Sequence, residues 1–129
     1  MKNIAAMLIE PGKEPELICI EPTGKRIREL VGGPAEFTWP IGDGICVAVS
    51  ETGKLDGLPL NRSVRDSDGK ILDIYAGNML LMGDHSDDEF DSLTAEDVIL
   101  AAECFGRPET WDAEKIFSEF GCESDSSCP

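Results

Sequence analysis

The chain has 129 residues, 41% of them hydrophobic, and a formal net charge of −15. That is enough apolar material for one compact domain and too short a chain for two ordinary ones, and it argues against wholesale disorder. The charge is uneven, −3 over residues 1–82 and −12 over residues 83–129, so phosphate backbones are repelled and direct nucleic-acid binding is disfavoured. No apolar run reaches the roughly 18 residues a membrane span needs. In chain order, "NIAAMLIE" and "ELICIE" flank the Pro-Gly segment "PGKEP", which predicts a hairpin of Asn3–Ile9 with Glu16–Glu21. Glu10 and Pro11 follow the first apolar stretch at once, which marks a strand and not a signal peptide. Thr23 is placed to cap a short helix, Lys25–Val31, with Ile27, Leu30 and Val31 on one stripe and Gly32-Gly33 as its exit. "AEFTW", Ala35–Trp39, is the next strand, ended by Pro40, and the apolar, β-branched Ile45–Ser50 is a central one.

Beyond it lies "ETGKLDGLPLNR", Glu51–Arg62, which reads as a rigid crossover. Gly53 and Gly57 suit turns, Pro59 stiffens, and Leu58 and Leu60 anchor. On that reading the leucines carry stability and Arg62, in an exposed pairing, carries little. A turn through Ser67-Asp68-Gly69 leads to strands Ile71–Tyr75 and Asn78–Met82. An EF-hand alignment there would put Val64 and Tyr75 at ligand positions, which neither can fill. "GDHSDDEFDS" is an acidic loop over 83–92, and Thr94 with Asp97 makes a capping box for "AEDVILAAECF", whose apolar face is Val98, Ala101, Ala102 and Phe105. Thr110 caps a last helix, Trp111–Phe120, and 122–129 form a mobile acidic tail. The expected fold is one α+β domain over residues 1–121: a mostly antiparallel sheet, a short helix in the N-terminal half and two C-terminal helices.

The five cysteines, Cys19, Cys46, Cys104, Cys122 and Cys128, are odd in number and hold no C-x-x-C pair. Reduced thiols in a cytoplasm are expected, with Cys122 and Cys128 the pair most open to air oxidation. His85 is the sole histidine and lies in a polar loop, a poor support for a triad or zinc site; acids around it favour its charged form. No P-loop, G-x-G-x-x-G, H-E-x-x-H or G-x-S-x-G is present, so no catalytic residue, metal or cofactor is expected. Asp84, Asp87, Asp88, Glu89 and Asp91 form an acidic surface suited to a basic protein partner, though acids also serve solubility alone. The alternative is a small anion- or nucleotide-binding module built from Lys54, Asn61, Arg62 and Arg65, set against internal pairing with Asp56, Asp66, Asp68 and Asp73.

The stretches "LIEPGKEPEL", "IRELVGG", "AVSETGKLDGLPLNRSVRD" and "IYAGNMLLMG" together resemble the domain of unknown function 3846 family over Met1–Gly83, and "LTAEDVILAAECFGRP" is similar to its members as well. The resemblance implies a Firmicutes, phage or conjugative-element setting, often near antirestriction-type genes, with Gly53, Lys54, Gly57, Leu58, Pro59, Asn61 and Arg62 as the characteristic loop. The acidic, Cys-bearing C-terminal end departs from the family. Taken together, the expectation is a non-enzymatic interaction protein of a phage or mobile element that antagonises a host nucleic-acid or defence enzyme.

Overall fold

The computed structural model describes residues 2–112. Along them run β1 (Ile4–Ile9), β2 (Glu16–Ile20), α1 (Gly24–Val31), β3 (Ala35–Thr38), β4 (Ile45–Ser50), β5 (Leu60–Arg65), β6 (Ile71–Ala76), β7 (Met79–Gly83) and α2 (Ala95–Phe105). The fold is α+β, and the strand pairs are antiparallel. A five-stranded sheet has the order β2-β1-β7-β4-β3, and β5-β6 form a separate two-stranded sheet.

Strand alternation sorts the core onto two faces. Met7, Ile9, Val47, Val49, Met79 and Leu81 pack under Val64 and Tyr75 of the β5-β6 hairpin and Ala101 and Phe105 of α2. On the opposite face Ile4, Ala6, Ala48, Leu80 and Met82 pack under Ile27 and Val31 of α1. β4 and β7 are therefore buried throughout. A strand covered on both faces needs apolar side chains on both, which is why "ICVAVS" and "MLLM" are unbroken apolar runs.

The local signals act as expected at several places. β1 and β2 form the hairpin, in register from Ile4↔Ile20 to Leu8↔Glu16. Thr23 Oγ1 accepts from the Arg26 amide at 3.1 Å. Gly32, at φ +88°, closes α1 by donating to Arg28 O, a left-handed geometry that costs glycine least. Thr94 and Asp97 complete the capping box of α2.

Four expectations change. The strands divide into two sheets, and Leu60, Asn61 and Arg62, expected at the end of the crossover, open strand β5. Ala102 is exposed; the inward face of α2 runs through Asp97, Ala101 and Phe105, with Val98 packed beside it. α1 begins at Gly24, one residue earlier than expected. Of the last expected helix, Trp111–Phe120, all but Trp111 and Asp112 lies outside the described residues, as does the tail with Cys122 and Cys128.

Candidate functional site

The characteristic stretch Glu51–Arg62 splits in two. Its first part is a surface turn: the Asp56 amide donates to Thr52 O, Thr52 Oγ1 donates to Asp56 Oδ2 at 2.7 Å, and the Leu58 amide donates to Gly53 O. Leu58 then folds over Gly77, whose φ is +82°; a Cβ there would stand 2.8 Å from Leu58 Cδ1. The second part enters the interior. β5 advances three residues from Leu60 to Ser63 while β6 covers two, from Ala76 to Ile74, so β5 holds one extra residue. This bulge breaks the alternation and lets the consecutive Asn61 and Arg62 both turn inward. Each is 0% exposed.

Buried polar groups need partners, and these have them. Asn61 Nδ2 donates to Ile9 O at 2.8 Å and Gly77 O at 2.9 Å, while its Oδ1 accepts from Arg62 Nη1 at 2.9 Å. Arg62 Nε donates to Phe105 O at 2.9 Å and Nη2 to Lys13 O at 2.6 Å. Phe105 ends α2, so the guanidinium meets the negative end of that helix. Burial pulls the Arg62 pKa down and the Glu109 carboxylate pushes it up; an arginine so placed remains charged. Two adjacent residues thus tie the β1-β2 turn, the β6-β7 turn and the end of α2 to one strand. The outer edge of β5 is closed by side chains: Ser63 N and Oγ donate to the Glu109 carboxylate at 3.0 and 2.7 Å, and Trp111 Nε1 donates to Asn61 O at 2.9 Å.

Of the expected anion site, Asn61 and Arg62 come together and bond each other in the interior, while Lys54 and Arg65 turn to other partners. Asn61 and Arg62 face the interior, Lys54 Nζ lies 2.6 Å from Asp73 Oδ1, and Arg65 Nη1 donates to Gly69 O at 2.8 Å. Asp66, expected as a pairing acid, instead caps the β5-β6 turn by accepting from the Asp68 and Lys70 amides.

The acidic loop is where surface chemistry collects. Asp84, Asp87, Asp88 and Glu89 line a groove of about 480 Å³ with Lys2, Ile4, Pro22, Thr23, Ser86 and Phe90. Asp91 acts differently from these four. Its backbone bridges Gly83, and its Oδ1 accepts from the His85 amide at 3.3 Å, which folds the loop onto β7. Edge strand β3 and the residue just past its end supply aromatic rings that the sequence reading did not single out. Phe37 stacks on Phe90 with centroids 5.6 Å apart, and Trp39 Nε1 donates to Asp84 Oδ2 at 2.8 Å. Both rings stay substantially exposed, Phe37 at 40% and Trp39 at 45%. Phe37 lies within β3, and Trp39 follows one residue beyond its end.

His85 locks this loop to α2. Its Nε2 lies 2.6 Å from Asp97 Oδ2, and its ring packs so closely on Gly44 that a Cβ there would meet it at 2.7 Å. The hydrogen bond to the Asp97 carboxylate raises the His85 pKa; burial opposes this, and Asp91 and Asp84 reinforce it. For Asp97, burial pushes upward, but the Thr94 amide and hydroxyl and the His85 ring outweigh it and hold the carboxyl below its ordinary range. Cys46, buried in β4, is pushed up to about 12 by burial and by Asp84, which makes it a poor nucleophile. Among the described residues no group of three or more His, Cys, Asp or Glu side chains is placed to hold a metal ion, and no helix is long and apolar enough to cross a membrane.

The arrangement defines an α+β domain with a buried polar keystone and an acidic, aromatic face. The family described as Domain of unknown function (DUF3846) matches residues 1–106, and the chain belongs to that family. The match runs to the end of α2 and covers β5 with its Asn61-Arg62 pair. No curated protein and no solved structure matches the chain.

Proposed function

We propose that the protein is a non-enzymatic interaction protein that engages a basic protein surface through the face built from Phe37, Trp39, Phe90 and the Asp84–Glu89 loop. The observation that carries this reading is the fixed placement of exposed rings against acids, with Trp39 tethered to Asp84 and Phe37 stacked on Phe90. Lysine and arginine side chains gain from both components: carboxylates attract the charge, and ring faces attract it again through their quadrupoles. Aromatic anchors surrounded by polar groups are also the usual make-up of energetic centres in interfaces. The surplus of acids extends attraction beyond contact and speeds encounter at low salt. The setting in this reading is the cytoplasm of a cell carrying a phage or mobile element, and the partner is a host nucleic-acid or defence enzyme whose basic surface would otherwise meet phosphates.

A defined probe tests the chemistry. The full chain is titrated with an arginine-rich peptide of roughly ten residues at low and high salt, beside a triple variant Asp87→Asn, Asp88→Asn, Glu89→Gln and the variant Trp39→Ala. Binding by the wild type that weakens about tenfold or more in each variant and with added salt is the expected result. Binding that is equal in all three proteins would remove this face from the account.

A further inference from the structure

The second face of β3 borders a different cavity. Phe37 projects to one side of the sheet, and Glu36 and Thr38, its neighbours, project to the other. There a cleft of about 370 Å³ opens between the β3-β4 edge and β6, and the turn carrying Glu51, Lys54 and Leu55 forms its lip. That volume falls within the roughly 300–1,000 Å³ of small-molecule sites. Val49, Ala76 and the Tyr75 ring give the cleft an apolar lining. Leu55 stands bare on the lip, 89% exposed.

The charge of the cleft decides what it would hold. Glu36, Glu51 and Asp73 line it against a single cation, Lys54. An entering phosphate or nucleotide would meet a surplus of carboxylates, whereas a cation would be drawn in. The site already holds an ammonium group, since Lys54 Nζ sits 2.6 Å from Asp73 Oδ1. Both side chains of that pair are about half exposed, at 57% and 49%. An ion pair so wetted contributes little, so replacing one ammonium by another is nearly neutral.

We infer that this cleft binds a small primary amine with an apolar body. Its ammonium replaces that of Lys54 on Asp73, and its body covers Leu55 and lies along Val49 and the Tyr75 ring. The site thereby gives the characteristic loop a ligand of the opposite sign to the anion suggested by its bases. The inference is independent of the acidic, aromatic face, which lies across the sheet.

The test is calorimetric titration of the full chain with tyramine, with inorganic phosphate and ATP as anionic probes, in the wild type and in Lys54→Met and Asp73→Asn. The two substitutions sit at exposed side chains, and circular dichroism checks that each variant is folded. Tyramine is expected to bind in the millimolar range or tighter. Lys54→Met should tighten that binding several-fold by removing the resident ammonium, and Asp73→Asn should weaken it about tenfold. The opposite signs separate a shared cation site from general loss of structure. Absence of tyramine binding in both the wild type and Lys54→Met at roughly 20 mM would overturn the inference. So would phosphate or ATP binding that Lys54→Met abolishes, or tyramine binding that neither substitution alters.

Discussion

Two polar regions of this molecule use similar groups to opposite ends. At β5, Asn61 and Arg62 are 0% exposed, and the described contacts of their side chains run to backbone carbonyls and to each other. At the acidic loop, Asp87, Asp88 and Glu89 face solvent beside exposed rings. The first region joins elements far apart in sequence. The second leaves charge and aromatic area open to another molecule. A charged residue that spends its hydrogen bonds inside the fold is a structural part, and only one that keeps them at the surface is available for recognition.

The largest effect separating the regions should come from Arg62. Arg62→Ala leaves Phe105 O, Lys13 O and Asn61 Oδ1 without their donor and opens a cavity, at a cost of about 3–5 kcal/mol in denaturant unfolding. The sequence reading expected a small effect here. A loss under about 1 kcal/mol would return Arg62 to the surface and break the comparison. Asn61→Ala should follow at about 2–3 kcal/mol, since two buried carbonyls lose a donor. The double variant should cost less than the sum of the two, because the residues share one network; strict additivity would deny that network.

Trp39→Ala sharpens the contrast from the other side. Its ring is largely at the surface, so stability should change by no more than about 1 kcal/mol. A cooperative loss of fold would make Trp39 a packing residue and remove it from the face.

The smallest effect is a pH dependence. The His85 pKa is raised in the folded chain. A group of that kind adds stability that is complete below the unfolded value, about 6.5, and fades as pH rises through the folded value. Asp97 is held low, so its contribution is present above the unfolded carboxyl value and fades as pH falls through the folded one. Holding of the acidic loop by His85 should therefore weaken on the alkaline side. As the sole histidine, His85 gives one imidazole signal in an NMR titration. A midpoint at or below the ordinary histidine value would contradict the Asp97 contact.

Much of this architecture can be read from the sequence, for identifiable reasons. "ICVAVS" is apolar because both of its faces are covered, and Thr94 with Asp97 announces α2 because capping is a local interaction. β5 could not be read the same way. "LNRS" has no alternating apolar pattern; it is a strand through its backbone pairing with β6, and its inward polar side chains are satisfied by carbonyls of Ile9, Lys13, Gly77 and Phe105, all distant in sequence. The bulge hides the inward pair further, because neighbouring residues in a regular strand face opposite ways. The acidic loop was visible as composition. Its rings were not, since Phe37 meets Phe90 across 53 residues and Trp39 meets Asp84 across 45.

Chemical-shift mapping on the isotope-labelled full chain tests the central claim most directly. An arginine-rich peptide of roughly ten residues is added, and the two indole N–H signals serve as reporters, Trp39 on the acidic face and Trp111 on the edge of β5. The account predicts movement of the Trp39 indole and of amides across residues 84–90, with the Trp111 indole and the amides of residues 61–63 unmoved. Movement confined to Trp111 and residues 61–63 would contradict it, as would a spectrum the peptide leaves unchanged.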